Sequence, residues 1–379
     1  MARPHDWLII GAGPQGRFIG SALAAADPSL SITLVDPEAP MQAWRRRAAA
    51  TGMTFLRSSN AHHLGRHRRS LHDFIAAGGY DRRHTLGYYR RPSLALFNAL
   101  AEAELACLEH IRQQAEQLTR DGKRWQVQLA DGQRLAACHV VLASGPGAVY
   151  RPPGLAACEH VFDREFKLGK PKQPTIVVGG GITGAQLALR ARDEGHRVAW
   201  LTRRAPEPAD FDSEPRYAGP LGMRPFLAAG VNERTALLAA ARRPGTLPPD
   251  IHSQITAALA AGDIDWIQAT PVAYRRSELH LADGRVLDAP RVILATGFAA
   301  EPAPSSLLGQ ALEATGGQTD GYGHALIDSD LQLASGLHVT GRPASLQLGP
   351  MAGNIKGARW AGERLAALAR AEGDTKKPA

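Results

Sequence analysis

Cysteine is scarce in this 379-residue chain, and the three present, Cys107, Cys138 and Cys158, stand far apart with no Cys-x-x-Cys pair among them. That argues against a redox centre of neighbouring thiols and against a cysteine-rich metal site, and leaves buried or inert thiols. Long apolar runs are missing too. Nothing approaches the roughly 20 residues of a membrane-spanning helix, and no cleavable leader precedes the first apolar segment, Trp7-Leu8-Ile9-Ile10. The expectation is a cytoplasmic protein without a membrane partner. Acidic charge falls short of basic, with a formal net charge of +8. The excess does not form one block: arginine pairs such as Arg68-Arg69, Arg203-Arg204, Arg242-Arg243 and Arg275-Arg276 are scattered along the chain without interleaved aromatics. This favours a solvated basic surface that attracts anionic cofactors over a nucleic-acid partner.

What is present is an internal repeat. Ala130 to Gly145 (Ala-Asp-Gly-Gln-Arg-Leu…Val-Val-Leu-Ala-Ser-Gly) matches Ala282 to Gly297 (Ala-Asp-Gly-Arg-Val-Leu…Val-Ile-Leu-Ala-Thr-Gly). In each copy an Asp-Gly turn joins two strands and an apolar return strand follows, the pattern of a sheet buried on both faces. Upstream of each copy lies a strand, a glycine turn and a helix-compatible Ala/Leu run. The first is Trp7 to Gly16 followed by Phe18–Ala26, and the second is Thr175 to Gly184 followed by Ala185–Glu194. A further strand completes each unit, at Ser31–Val35 and Arg197–Leu201, so the chain reads as βαβ twice.

The fold class expected is α/β, with two Rossmann-like dinucleotide-binding domains and the second inserted in the first. The boundaries read as 1–170 with 300–379 for the outer domain and 171–299 for the nested one, the Pro-rich stretch Lys170 to Pro174 marking the first crossing. A strand at Leu337–Thr340 and a closing helix at Ala352–Ala369 return the chain to the outer domain. The segment 205–262, with helical patterns near Thr235–Ala241 and Ile251–Ala261, reads as an insertion without a counterpart in the first unit.

The spacing Gly-x-Gly-x-x-Gly needs each glycine for a physical reason: a tight turn, close approach of backbone to a diphosphate, and close packing of helix on strand. The helix N-terminus then offers unpaired N–H groups. Gly11, Gly13 and Gly16 with Pro14 and Gln15 satisfy this, as do Gly179, Gly181 and Gly184 with Ile182 and Thr183. About 20 residues after Gly16, Asp36 ends the second strand, where a carboxylate accepts hydrogen bonds from an unphosphorylated ribose; FAD or NAD fits. The matching strand of the second unit ends Leu201-Thr202-Arg203-Arg204, with no carboxylate and two guanidiniums suited to a 2′-phosphate, so NADPH fits there. The competing readings are a turn residue before Pro37 for Asp36 and a solvated surface pair for Arg203 and Arg204.

The order of these features, with Ala295-Thr296-Gly297-Phe298 after the second unit and a C-terminal return, resembles the class B flavin monooxygenases, among them the flavin-containing monooxygenases and the lysine and ornithine N-hydroxylases. The resemblance implies FAD in the first cleft, NADPH in the second, and O2 with a small-molecule substrate as reactants. Hydride would pass from NADPH to FAD, and a C4a-peroxyflavin would oxygenate a nitrogen or sulfur nucleophile. It also implies cofactor contacts from Trp44, Met53, Ser144 and Gly145, from Ala295, Thr296, Gly297 and Phe298, and from Gly341 with Leu348, Gly349 and Pro350 of the return segment. Asn60, within Met53 to Leu64, matches the family's flavin-facing asparagine and is the candidate catalytic hydrogen-bond donor, a surface turn being the alternative. Arg91-Pro92-Ser93 with Phe97 resembles an N-hydroxylase segment, and Arg57 and Arg91 are candidates for a substrate carboxylate.

Two features depart from the family. Its Phe-x-Gly-x-x-x-His signature is reduced to His160 and Phe162, and Thr340-Gly341-Arg342 lacks the Gly-Asp pair of the disulfide reductases. An NADPH-dependent flavin reductase without oxygenation, and a non-catalytic NADPH-binding module, therefore stand as alternatives. His62, His63, His67 and His72 form the one histidine-rich stretch, with His63 and His67 spaced for one helix face. The neighbouring Arg66, Arg68 and Arg69 oppose a cation, and no metal is expected.

Overall fold

The computed structural model describes residues 3–376 apart from residue 172. In the first unit β1 (His5–Ile10), α1 (Pro14–Ala26) and β2 (Ile32–Val35) form the expected βαβ. The chain then passes through α2 (Gln42–Thr51) and α3 (Leu94–Glu104) before returning as β3 (Glu109–Ile111). An antiparallel meander follows, β4 (Ala115–Asp121), β5 (Arg124–Leu129) and β6 (Arg134–Leu142), whose last strand continues as the parallel neighbour of β1. The second unit opens with β7 (Glu159–His160) and β8 (Thr175–Val178). It proceeds through α4 (Ile182–Asp193), β9 (Val198–Thr202), α5 (Pro220–Ala228), α6 (Val231–Ala241) and α7 (Pro249–Ala261) to β10 (Ile264–Gln268). Its meander is β11 (Pro271–Arg275), β12 (Glu278–Leu281) and β13 (Val286–Asp288), and β14 (Arg291–Leu294) is the return strand. The C-terminal part adds β15 (Gln332–Ala334), β16 (Leu337–Val339) and α8 (Ile355–Lys376).

The two sheets share one plan. The first runs β15-β16-β6-β1-β2-β3 and the second β10-β9-β8-β14-β7. In both, the strand leading into the glycine turn is central, the second strand lies on one side and the return strand on the other. The registers coincide as well: Ile10 pairs with Val35 and Val178 with Leu201, each pair directly before a glycine turn. Central strands buried on both faces need continuous apolar sequence, and Trp7, Leu8, Ile9 and Ile10 are all buried. β16 pairs in parallel with β6, so the C-terminal part does return to the first sheet. There α8 packs on α1 at Gly362, where a side-chain Cβ would lie 2.8 Å from the Phe18 ring.

Three expectations change. The crossing at Lys170–Pro174 comes earlier, because Glu159–His160 pairs with Ile293 and Leu294 at the edge of the second sheet. The chain crosses where Val149 bridges Phe298, the two connections between units running side by side there. The segment 205–262 does have a counterpart: it lies between the second and third strands of its unit, where the first unit carries 36–108, and its α7 is the crossover helix into β10. The two return segments also differ. Pro290 has no N–H for the ladder and splits β13 from β14, whereas the first copy runs unbroken through β6.

Beside β1, Trp7 stacks on His139 at 4.2 Å and on His338 at 5.2 Å. The Nδ1 of His338 donates to the carbonyl of Asp330 at 2.9 Å, and its Nε2 lies 3.1 Å from Nδ1 of His139. Burial pushes the His338 pKa down to about 3, and those of His62 and His160 to about 4. In the unfolded chain a histidine titrates near 6.5, so below that pH the unfolded chain binds protons that the native rings refuse. Stability is therefore full above about pH 6.5 and falls as pH drops toward the folded values. From His338 alone the loss between pH 7 and pH 5 is about 2 kcal/mol. Urea unfolding at the two pH values checks this: His338→Asn should flatten the dependence, and an unchanged slope would reject it. Among the described residues no helix is long and apolar enough to cross a membrane.

Candidate functional site

Each glycine turn is built as its spacing requires. Gly11 adopts φ +111° and Gly179 φ +144°, and a Cβ on either would approach the carbonyl oxygen of the return segment, Ala143 at 2.3 Å or Ala295 at 2.4 Å. Gly16 and Gly184 press against the first glycine of their own turn; a Cβ would lie 1.9 Å from the Gly11 oxygen or 2.0 Å from that of Gly179. Gly13 and Gly181 differ, because an added Cβ on either meets nothing within 4 Å. These two glycines are the N-caps of α1 and α4, and neither helix has a side-chain cap on its first-turn amides. An open face with unpaired N–H groups at a helix N-terminus is the donor set a diphosphate fits.

Both turns open onto one cavity of about 1020 Å³ between the units. At its first end Asp36 accepts the Ala12 amide at 2.8 Å through one carboxylate oxygen and the Glu38 amide at 2.8 Å through the other. This orients the carboxylate at the cavity rim. The registers put Thr202 at the position of Asp36 in the second unit. Its hydroxyl donates to the Arg204 carbonyl at 2.7 Å and accepts from the Trp266 indole at 3.0 Å. Arg203 and Arg204 then project exposed at the second end, and among the described residues neither forms an ion pair.

Pro14, Gln15, Trp44, Met53, Ser144 and Gly145 also line the cavity, as do Ile182, Thr183 and the Ala295 to Phe298 element. Gln15 ties the first turn to the C-terminal part, accepting from the Thr340 hydroxyl at 2.7 Å and donating to the Ala352 carbonyl at 3.0 Å. Gly341, at φ +75°, faces the same side chain. The remnant signature is at the site as well. His160 is buried and neutral, its Nδ1 accepts the Phe162 amide at 3.1 Å, and Phe162 stacks on Phe298 at 5.5 Å in the cavity wall.

Several expected site residues lie elsewhere. Asn60 is exposed on a turn held by its own amide to the Tyr89 carbonyl, outside the cavity wall. Arg91 is buried and paired with Asp250 on the first turn of α7, and is not open to a substrate. Arg57 reaches the cavity wall, but its guanidinium is engaged by the carbonyls of Ala209, Asp210 and Thr246. Leu348, Gly349 and Pro350 are displaced by a turn in which Ala352 bonds Gly349 and Asn354 bonds Met351. That turn delays α8, so Gly353, Asn354 and Ile355 reach the cavity instead, while Gly349 abuts Met223. His63 and His67 share no helix; His63 accepts the Gly65 amide at 3.0 Å. No cluster of three or more metal-ligating side chains occurs among the described residues.

The structure adds residues the sequence did not single out. Arg47, on α2, sits 5.5 Å over the Phe298 ring, and its Nε has no hydrogen-bond partner. Arg342 donates to the Ala299 carbonyl at 3.0 Å, and burial, with Arg242 alongside, lowers its pKa. Arg242 and Arg243 complete the positive wall.

Residues 8–147 match a family model described as FAD-NAD(P)-binding. No curated protein matches the chain. Among solved structures, the ornithine N-hydroxylase of Kutzneria sp. 744, in a complex with reduced FAD, NADP+ and L-ornithine, is similar with a TM-score of 0.74 at 15% identity, over 98% of this chain and 100% of that one. The fold is that of the class B flavoprotein monooxygenases. A flavin-containing monooxygenase from Stenotrophomonas maltophilia is similar at 0.62 and 19% identity, over 98% of this chain and 99% of its own. The bacillithiol disulfide reductase of Bacillus cereus is similar at 0.62 and 18%, over 98% and 100%. At such low identities the likeness concerns the fold, and it is shared by oxygenating and reducing enzymes.

Proposed function

We propose that this chain is an NADPH-dependent FAD monooxygenase that oxygenates a nitrogen or sulfur nucleophile of a small molecule. One observation carries the cofactor reading: two glycine turns of matching register open onto a single cavity, one rimmed by an oriented carboxylate and the other by unpaired guanidiniums. Bound FAD would supply the hydride acceptance and the activation of dioxygen. Gly13, Gln15 and Asp36 would hold it at the first end, and Gly181, Arg203 and Arg204 would hold NADPH at the second. Phe162 and Phe298, stacked in the cavity wall, would present an apolar face to the bound cofactors, and Arg47 would offer a positive group to developing anionic charge.

An NADPH-dependent reductase without oxygenation is favoured by the position of Asn60, which is exposed and does not line the cavity. The ratio of NADPH consumed to hydrogen peroxide released separates the two readings across a panel of amines, thioethers and amino acids. The monooxygenase reading expects less peroxide than NADPH with at least one compound, together with an oxygenated product. Stoichiometric peroxide throughout moves the assignment to the reductase. A protein that purifies colourless and takes up no FAD overturns both.

A further inference from the structure

We propose that Arg242 to Thr246 form a strap over the second glycine turn that adds two guanidiniums to the NADPH 2′-phosphate subsite, and that Arg57 positions this strap from the opposite unit. The inference rests on the NADPH reading above.

The strap begins where α6 ends. Ser213 bridges Arg242, the Arg243 amide donates to the Asp212 carbonyl at 2.8 Å, and a two-residue parallel ladder pairs Glu207 with Thr246 and Pro208 with Leu247. Gly245 takes φ +80°, and a Cβ on it would stand 3.8 Å from the Gly180 oxygen, so the strap passes directly over the phosphate turn. Arg242 and Arg243 are exposed into the same cavity as Arg203 and Arg204. Among the described residues none of the four pairs with a carboxylate. Four unpaired guanidiniums repel one another, and an anion bound between them relieves that repulsion. A phosphomonoester carries about 1.5 to 2 negative charges near neutral pH, more than one guanidinium balances.

Arg57 explains how the strap is held. It belongs to the first unit, just past the Phe55–Ser93 bridge, and it donates to Thr246 O at 3.0 Å, Thr246 Oγ1 at 2.9 Å, Ala209 O at 2.7 Å and Asp210 O at 3.2 Å. Thr246 passes the constraint on, since its hydroxyl donates to the Arg243 carbonyl at 2.8 Å. The fork of one arginine thereby fixes both edges of the ladder beside Arg242 and Arg243. Arg57 acts through the strap and is a positioning residue.

The test is calorimetric titration of the full-length, FAD-loaded protein with 2′,5′-ADP, which bears the 2′-phosphate, and with ADP, which lacks it. Arg242→Ala with Arg243→Ala should weaken 2′,5′-ADP at least about tenfold while changing ADP less than about twofold. Arg57→Ala should lower the same preference with flavin content retained, and Arg57→Lys should restore part of it; a purely structural role would weaken both nucleotides alike. If the strap variant leaves the preference intact while Arg203→Ala with Arg204→Ala abolishes it, the strap proposal fails and the NADPH reading stands. If neither pair changes the preference, the NADPH reading itself fails. Because Arg242 and Arg243 are exposed, their variants decide the matter even if Arg57→Ala does not fold.

Discussion

Gly16→Ala should purify without flavin, whereas Gly184→Ala should bind FAD but resist reduction by NADPH. Both substitutions force a Cβ to within about 2 Å of a backbone oxygen, that of Gly11 or of Gly179. A backbone atom cannot swing aside as a side-chain tip can, so the helix must back away from the strand that feeds it. Overpacking of this kind costs about 3 kcal/mol or more, and it displaces the amides that face the diphosphate. The damage is local because each collision lies within its own βαβ. The controls are Gly13→Ala and Gly181→Ala, whose Cβ atoms meet no protein atom within 4 Å. Their melting temperatures should match the parent, and any loss of cofactor would come from collision with the cofactor itself. Absorbance near 450 nm, thermal unfolding and anaerobic NADPH titration report on all four; a yellow, fully stable Gly16→Ala protein would refute the first cleft as the flavin site.

Arg91→Ala should be the most destabilising single change in the linkage between the units. Arg91 is 4% exposed, donates to the Leu56 carbonyl, and is ion-paired with Asp250 at the start of α7. Removing it leaves the carboxylate without its counter-charge in a largely dry position. Breaking such a pair from one side typically costs 3–5 kcal/mol, and here about 3 kcal/mol is expected because Asp250 keeps some contact with water and with the helix N-terminus. Replacing both partners, Arg91→Met with Asp250→Leu, should lose much less, since no uncompensated charge remains. Urea midpoints of the parent, the single variants and the double variant form the cycle that measures this. Simple additivity would mean that the pair contributes nothing as a pair.

The sequence made the duplication legible because glycine at close approaches and unbroken apolar strands are demands of local backbone geometry. Gly11, Gly179, the return strands and the contrast between Asp36 and the Thr202 position could all be read directly. What escaped depends on contacts distant in the chain. Arg57 looks like a free cation until the carbonyls of Ala209, Asp210 and Thr246 are brought to it from the other unit. Arg47 looks like one of three ordinary arginines until α2 turns it toward Phe298. β4 and β11 were missed because their exposed faces carry polar residues in no clear alternation. The resemblance implies a cofactor contact from Gly349 and the pattern a closing helix from Ala352, but a turn bonding Ala352 to Gly349 and Asn354 to Met351 delays that helix to Ile355. The segment 205–262 seemed unmatched because its kinship with 36–108 lies in where it is inserted, and the two share no recognisable sequence.

The adjacency of Val149 and Phe298 bears on how such a chain arises. The second unit leaves and re-enters the first through neighbouring points, with the Tyr150 amide donating to the Gly297 carbonyl and the Ala299 amide to the Ala148 carbonyl. A copied gene segment pasted into a surface loop at such a gap hardly perturbs its host, because the host loop closes over nearly the same span with or without its guest.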